Sequence, residues 1–357
     1  MGKRCLVSLF FVAFVTLIAQ GQPKITQPTL TPQYSGTTNG LIAVSPVNPQ
    51  VVWAAGRNGT FTVTTDGGNT WKAGVVPGAE LLQFRDVEGV SAKVAYLMSI
   101  GGSGSPTDFR IYKTEDGGAT WTLQFVNQLA NAFYDCFAFW TPKKGIAHSD
   151  SVNGVFPDLR TTDGTTWQSI SNNMPAALPG ESSFAASGTC VATQGGQNAW
   201  ITTGVSTTAR VLATRDGGDT WNAYNTPLLS SPSAGGFTIA FRNPWNGIVG
   251  GGDLDPNDPN NARTSTSSDG GVTWTLTNPP PVTGAIFGLA YSHGVGNGNG
   301  SRTVVVTANA GGAAWTPDEG TTWFPLPGVT GFWAVAFASP KAGWLVGVNG
   351  QILKIRF

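Results

Sequence analysis

The chain carries few of the side chains that most enzymes use as catalysts or metal ligands. Its only histidines are His148 and His293, and its cysteines are Cys5, Cys136 and Cys190. None of these has the spacing of a zinc site. Without a carboxylate firmly placed to orient it, we expect His148 to be a hydrogen-bonded strand residue rather than a catalytic base. The sequence therefore predicts no metal and no cofactor.

One loop places oxygen-bearing side chains at alternate positions, namely Asp253, Asp255 and Asn257. This is the spacing with which a calcium loop begins. The sixth position is Asp258 instead of the glycine of such loops, and the twelfth is Thr264 instead of glutamate. We therefore expect a turn-rich loop without a bound ion.

A second pattern involving aspartate is repeated along the chain. The phrase (Ser/Thr)-x-Asp-x-Gly-x-x-Trp, known as the Asp box or BNR repeat, occurs five times, and a sixth copy is one residue shorter. The closing tryptophans are 50, 46, 54, 53 and 49 residues apart. The Asp and Trp of the copies are Asp66 and Trp71, Asp116 and Trp121, Asp163 and Trp167, Asp216 and Trp221, Asp269 and Trp274, and Asp318 and Trp323.

We predict that each Asp box is a structural turn and not a catalyst. Its aspartate can accept hydrogen bonds from backbone N–H groups of the turn. Its glycine permits a positive φ where a side chain would clash. Its tryptophan opens the next strand and packs between neighbouring repeats. The third copy, around Asp163, lacks one residue, and its turn is expected to be irregular.

Three short strands per repeat can be read between the boxes, so that the fold is all-β. Taking the last repeat as the template, strand a is 332–337, strand b is 343–347 and strand c is 351–355. Strand b keeps a large residue in one column: Trp53, Tyr96, Ile146, Trp200, Ile248, Val305 and Trp344. A repeat near 50 residues in a strand-rich chain is typical of a β-propeller. Seven repeats predict a seven-bladed propeller, with strand a of the fourth blade at 183–186.

The seventh repeat ends where its fourth strand would begin. An open sheet edge promotes aggregation, so the ring must be closed. We predict that the segment near Lys24–Gln27 supplies the missing outer strand of the last blade. The mature chain, 22–357, would then be one propeller.

The propeller topology predicts where a binding site would lie. Strand a starts on the face where the b-to-c loops emerge, away from the Asp boxes, and we call this face the mouth. Concave surfaces that combine charged and aromatic groups are how binding sites are built. The candidates, each also readable as a solvated loop end, are Arg57, Arg85, Asp86, Tyr134, Asp135, Asp150, Glu181, Asp253 and Trp333.

The first 21 residues read as a signal peptide. Lys3 and Arg4 precede an apolar run, 6–18, and Ala19-Gln20-Gly21 places small residues where a signal peptidase cleaves. We expect export to the periplasm or medium, without a membrane span after cleavage. The remaining 18 basic and 20 acidic residues give no case for nucleic-acid binding. Cys136 and Cys190 are expected to be two buried free thiols, although export permits a disulfide.

The repeats and the segment Trp344–Lys354 resemble the photosystem II stability/assembly factor-type BNR propellers over about 41–357. The segments 85–88, 110–114 and 179–187 are similar to an exported bacterial branch whose members are often labelled oxidoreductase or glycosyl hydrolase. This resemblance implies a non-enzymatic scaffold that binds a protein partner. This sequence departs from the photosynthetic members, because its arginines are scattered and those members have an arginine-rich patch.

Two other classes of function remain open. Sialidases and related hydrolases also carry Asp boxes, but Phe109-Arg110-Ile111-Tyr112 lies before the second box and lacks the proline of the sialidase motif. A glycan-directed protein, either a hydrolase or a lectin-like binder, is the first alternative. An oxidoreductase is the weaker alternative: Gly294–Gly298 lacks the strand–turn–helix context of a dinucleotide site, which leaves a bound quinone as its cofactor.

Overall fold

The computed structural model describes Gly2 and residues 27–257, 262–292 and 301–357. Within these residues the chain forms seven four-stranded antiparallel sheets, which are the blades of a β-propeller. The predicted all-β, seven-bladed architecture is thereby confirmed. The expected signal peptide, the cleavage site and His293 lie outside the described residues. The described part of the chain contains no helix long and apolar enough to cross a membrane.

The strand bounds follow the chain from the first blade to the last. Strand β1 (Thr29–Tyr34) precedes blade 1, which contains β2 (Leu41–Pro46), β3 (Val52–Gly56), β4 (Thr60–Thr64) and β5 (Lys72–Val75). Blade 2 contains β6 (Leu82–Gly89), β7 (Ala95–Gly101), β8 (Arg110–Thr114) and β9 (Thr122–Val126). Blade 3 contains β10 (Tyr134–Thr141), β11 (Lys144–Ser149), β12 (Leu159–Thr161) and β13 (Gln168–Ser169).

The remaining blades follow the same order from the channel outwards. Blade 4 contains β14 (Val191–Gln194), β15 (Asn198–Thr202), β16 (Arg210–Thr214) and β17 (Asn222–Asn225). Blade 5 contains β18 (Ala234–Phe241), β19 (Gly247–Asp253), β20 (Thr264–Ser267) and β21 (Thr275–Leu276). Blade 6 contains β22 (Gly288–Tyr291), β23 (Val304–Thr307), β24 (Ala313–Thr316) and β25 (Phe324–Pro325). Blade 7 contains β26 (Phe332–Ser339), β27 (Ala342–Gly347) and β28 (Gln351–Arg356).

Strand β1 completes blade 7, because it pairs antiparallel with β28 from Thr29 opposite Arg356 to Tyr34 opposite Gln351. Closure by an N-terminal strand is thus confirmed, and the strand starts just after the predicted segment. We call the place where β1 joins blade 7 next to blade 1 the seam of the ring. Gln33 stabilises it, because its Oε1 accepts hydrogen bonds from the indole N–H groups of Trp71 and Trp344, both at 3.2 Å.

The large residues predicted for the second strand of each blade form the core between blades. All seven are fully buried: Trp53, Tyr96, Ile146, Trp200, Ile248, Val305 and Trp344. The box tryptophan of one blade packs towards the blade before it, as Trp121 does edge-on against Trp53 at 6.2 Å between ring centroids. Aromatic pairs in this geometry stabilise a fold beyond the area that they bury.

The Asp-box turns have the predicted hydrogen bonds. In the first box, Asp66 Oδ1 accepts from the Thr70 N–H at 2.9 Å and Oδ2 accepts from the Thr70 hydroxyl at 2.6 Å. These bonds lower the pKa of Asp66 to about 2. Gly68 has a φ of +88°, as expected. The shorter box is irregular, since Asp163 Oδ1 accepts from the N–H groups two and three residues later, whereas Asp216 Oδ1 accepts from those three and four residues later.

Two sequence predictions are wrong. The first strand of blade 4 is β14 and not 183–186, because Ala192 is the residue that pairs with Trp200. The predicted segment is an inserted loop whose Phe184 ring stacks on Phe237 at 3.8 Å. Cys136 and Cys190 are not free thiols but form a buried disulfide between blades 3 and 4, with Cα atoms 5.9 Å apart. Cys136 lies in β10 and Cys190 immediately before β14, and these neighbouring inner strands bring together two cysteines that are far apart in sequence.

Candidate functional site

The first strand of five blades contains a β-bulge. In each case the bulge lies three residues before the residue that pairs with the large buried residue of the second strand. At each bulge one residue has no partner in the next strand, and its direction relative to the sheet changes. We call these five residues the bulge layer: Ile42, Arg85, Asp135, Phe237 and Trp333. Three of them are among the predicted mouth residues, so the bulges explain why Arg85, Asp135 and Trp333 lie at the same height.

Aromatic rings extend this layer across the channel. Phe184 stacks on Phe237, Phe237 lies parallel to Phe287 at 5.7 Å, and Phe287 contacts Trp333 at 5.2 Å. The guanidinium of Arg85 continues the series, 5.4 Å from the Trp333 ring centroid. The stack fills the mouth half of the channel with apolar rings and leaves polar groups of blades 2 and 3 at its edge.

Arg85 is held by blades 2, 4 and 7. Its Nη1 donates to the Ala185 carbonyl at 2.9 Å and its Nη2 donates to Gln83 Oε1 at 3.1 Å. Its buried Nε has no acceptor among the described residues. Burial, with Arg57 nearby, lowers the pKa of Arg85 to about 10, so the side chain remains charged at neutral pH.

Asp135 and Asp150 form a carboxyl pair beside Arg85. Burial, and then the Asp150 carboxyl, raise the pKa of Asp135 well above its ordinary value, and burial also raises the pKa of Asp150. Two close carboxyls in a dry site do not both ionise, so the pair retains a proton at a pH where isolated carboxyls have lost theirs. The pair can therefore accept a hydrogen bond from a ligand or donate one.

These groups line one cavity of about 250 Å³ at the mouth. Its walls also include the rings of Phe133 and Phe184 and the Ser183 side chain. The cavity combines a guanidinium, a pair of carboxyls with raised pKa values and aromatic residues. A small polar group such as a peptide amide could be bound there by complementary hydrogen bonds.

The structure places four of the predicted mouth residues in structural roles. Asp86 is buried and accepts from the N–H groups of Val87 and Phe137, both at 2.8 Å, which joins blades 2 and 3. Tyr134 is buried and donates to the Pro157 carbonyl at 2.9 Å. Asp253, at the end of β19, accepts from the Ser233 hydroxyl just before β18 at 3.0 Å.

Glu181 is the fourth of these residues and lies in a buried ion pair with Arg210. Its Oε1 accepts from Arg210 Nε at 2.8 Å, and its Oε2 is bonded to Nη2 of the same guanidinium. The Thr203 hydroxyl and the Leu178 N–H also donate to this carboxylate, at 2.6 and 2.8 Å. Arg57, in contrast, is exposed at the mouth, and its charge is close enough to lower the pKa of Arg85.

His148 has the carboxylate partner that the sequence did not predict. Its Nδ1 lies 2.9 Å from Asp158, and its Nε2 lies 3.0 Å from the Ser183 hydroxyl. The three side chains resemble a serine-hydrolase triad, but His148 and Asp158 are completely buried. The Ser183 N–H is bonded to Asp150 and the Ala185 N–H to Asp135, so these donors are not free to form an oxyanion hole. The network is a set of buried hydrogen bonds that connects blades 3 and 4.

The Asp253 loop shows no cation-binding arrangement in its described part. Asp255 Oδ1 accepts from the Asn257 N–H at 2.9 Å, as in an Asx turn. Residues 258–261, including Asp258, lie outside the described residues. Across the described residues, no group of three or more histidine, cysteine, aspartate or glutamate side chains could hold a metal ion.

Of the predicted site residues, only Asp86 lines the other half of the channel. A second cavity of about 470 Å³ lies towards the Asp-box face. Its walls are the later parts of the inner strands, and it shares no lining residue with the mouth cavity. Its one central carboxylate, Glu88, could have been noticed as the only charged residue in the column opposite the large residues of the second strands.

The fold defines the chain as a seven-bladed β-propeller. Comparison with solved structures finds other β-propellers that are similar to it. Scans against protein-family models and against curated proteins find no match. The structure "YCF48 bound to D1 peptide" is similar, with 18% identity, a TM-score of 0.63 and coverage of 94% of this chain and 99% of that one. YCF48 from Cyanidioschyzon merolae, at 18% identity, gives a TM-score of 0.61 over 92% and 98%. The WD40 propeller of Doa1, at 11% identity, gives 0.55 over 93% and 97%. These similarities establish the fold.

Proposed function

We propose that this protein is an exported, non-catalytic scaffold that binds a segment of a partner protein at the mouth. The observation that carries the proposal is the combination, in one cavity, of the Arg85 guanidinium and the Asp135–Asp150 carboxyl pair. A backbone amide offers a carbonyl for the first and an N–H for the second. Arg85 donates two of its five N–H groups to acceptors within the described residues, so other N–H groups remain for a ligand carbonyl.

Two further observations support a polypeptide ligand. Phe133 and Phe184 provide apolar walls against which a side chain next to the bound amide could pack. A propeller of the same fold, YCF48, has been solved with a peptide bound. The sequence resemblance to assembly factor-type propellers implies the same class of role. The partner proposed here is one in the compartment to which the chain is exported.

The test uses mature protein, residues 22–357, with a photo-crosslinking amino acid in place of Leu129. This residue is 47% exposed on the loop that leads into Tyr134. Crosslinked partners from native envelope extract would be identified by mass spectrometry, and the segment would then be synthesised. We expect Arg85→Gln and Asp135→Asn to weaken binding of this segment at least about tenfold, because each removes a hydrogen bond involving an ionisable group.

Lys143→Gln is the matched control for Arg85→Gln, since it removes one exposed positive charge at the opposite end of the first strand of blade 3. Equal binding by wild type and by Arg85→Gln would exclude the mouth cavity as the site. Absence of any crosslinked protein would exclude the scaffold role. A carbohydrate panel, with glycoside hydrolysis tested in Asp135→Asn, would then be the next experiment.

A further inference from the structure

The cavity near the Asp-box face is bordered by a ring with one residue from each blade. Each ring residue pairs across the sheet with the buried large residue of the second strand, and each is partly accessible from the channel. We call it the channel ring: Ser45, Glu88, Ala138, Ala192, Ala240, Ala290 and Ala336. Five alanines keep the channel wide here, and Glu88 is the one ionisable residue of the ring.

The charges around this cavity have one sign. Among its lining residues, Asp86 and Glu88 are acidic, and none is a lysine or arginine. Asp86 is satisfied by the N–H groups of Val87 and Phe137. The Glu88 carboxyl receives no side-chain or backbone hydrogen bond that the described residues make. Tyr291 is the other titratable lining residue, and its hydroxyl donates to Glu319 at 2.8 Å.

The position of Glu88 is unfavourable for an isolated carboxylate. The other members of the channel ring are five alanines and one serine, and desolvation raises the pKa of Glu88 to about 8. Burying an ionisable group without a partner is costly unless it stays neutral or acquires a counter-ion. A cation entering the cavity would provide the counter-ion, and the alanine and valine walls would accept an apolar stem attached to it.

We infer that this half of the channel is a binding site for an aliphatic ammonium ion, with Glu88 as its counter-ion and the channel ring around its stem. A cavity of about 470 Å³ is within the usual range for small-ligand sites. The ammonium group could belong to a lysine side chain of a polypeptide or to a free alkylamine. The site is independent of the mouth, because it uses the other half of the channel.

The test is a methyl NMR titration of full mature protein labelled with ¹³C at alanine methyl groups, so that the ring alanines report binding directly. The probes are n-pentylammonium, neutral n-pentanol and the capped tripeptide acetyl-Gly-Lys-Gly-amide. We expect saturable shifts of the ring alanines with n-pentylammonium, and at least about tenfold weaker binding of n-pentanol. Shifts with the tripeptide identify a lysine source, whereas their absence together with n-pentylammonium binding identifies a free amine.

Glu88→Gln keeps the size of the side chain and should weaken n-pentylammonium binding at least tenfold. Glu115→Gln is the matched control, because it removes a 72% exposed carboxylate from an Asp-box turn on the same face. If Glu88→Gln does not fold, Ala240→Leu retains Glu88 but fills the channel, and it should abolish the shifts. No saturable shift in wild type, equal binding of n-pentanol, or equal binding by Glu88→Gln would overturn the proposal.

Discussion

The guanidinium of Arg85 lies 5.4 Å from the ring centroid of Trp333, although their blades are separated by blade 1. The same side chain donates to Ala185 in the loop before blade 4. One residue therefore connects three blades through the centre of the propeller. Its contacts replace part of the water that would otherwise solvate the charge, and the residue lines the mouth cavity.

Replacing Arg85 by methionine should change stability little while removing mouth binding. The lost cation–π contact and hydrogen bonds are offset by removal of a poorly solvated charge, so we expect a change within about 1 kcal/mol. Urea unfolding of Arg85→Met beside wild type measures this. A loss of several kcal/mol would mean that Arg85 is mainly a structural link, and binding data on its variants would then need the Asp135→Asn variant for support.

Stability should fall as the pH rises through neutrality, in part because of Glu88. The pKa of this carboxyl is about 8 in the folded protein and its ordinary value is 4.5, so the folded state holds the extra proton between these limits. The contribution is present below about pH 4.5 and is lost as the pH approaches 8. Between pH 5 and 8 we expect wild type to lose about 3–4 kcal/mol more than Glu88→Gln, measured by urea unfolding.

Asp86 and Asp135 also have raised pKa values and act in the same direction, so wild type alone cannot isolate Glu88. The difference between wild type and Glu88→Gln is therefore the quantity to compare. Parallel stability curves for the two proteins across this pH range would contradict the assignment.

The Glu181–Arg210 pair should show strong coupling. Glu181 is 0% exposed and Arg210 is 8% exposed, so Glu181→Gln leaves an uncompensated buried charge. We expect that single change to reduce the free energy of unfolding by about 3–5 kcal/mol. The double variant Glu181→Gln/Arg210→Met should recover at least half of this loss in a double-mutant cycle. Additive effects would indicate that the pair is not a unit.

The disulfide between Cys136 and Cys190 should stabilise the fold by restricting the unfolded chain. The two cysteines are 54 residues apart in sequence, which corresponds to about 4 kcal/mol in a chain-entropy estimate. Unfolding of Cys136→Ala/Cys190→Ala should therefore occur at lower urea concentration than that of oxidised wild type. Fully reduced wild type is the control, and oxidised and reduced protein unfolding at the same urea concentration would show that no bond had formed.

The seam of the ring should depend on Gln33. Gln33→Ala removes the acceptor of the Trp71 and Trp344 indole N–H groups, so we expect a loss of about 1–3 kcal/mol. Gln50→Ala changes a glutamine on the exposed turn before β3 and serves as the control. Thermal unfolding measures both, and equal midpoints would show that the two indoles find water as a substitute.

The blade count and the buried column were predictable because both depend on periodicity in the sequence. Trp53, Trp200 and Trp344 recur at matching positions, and packing between blades requires large residues there. The bulges at Arg85 and Asp135 were not predictable, because a bulge is a property of the pairing between strands. An inserted loop in blade 4 was mistaken for a strand, since Phe184 faces the channel much as a strand residue would.

Contacts between distant parts of the chain account for the other gaps. Asp150 is 15 positions from Asp135, and Ser183 is 35 positions from His148. Neither pair follows a local pattern that could indicate proximity. The residues of the channel ring, including Glu88, could be aligned from the sequence. The cavity that they border exists only once seven inner strands surround one axis, so a binding site there could not be predicted.

The pairing of β1 with β28 also determines how the propeller responds to mechanical force. Because Thr29 is opposite Arg356, the outer ends of both strands lie at the same edge of blade 7. A force that pulls those ends apart would load the interstrand hydrogen bonds one after another instead of all together. At low force the hydrogen bonds between β1 and β28 should therefore break one after another, beginning at Thr29 and ending at the turn that precedes β28.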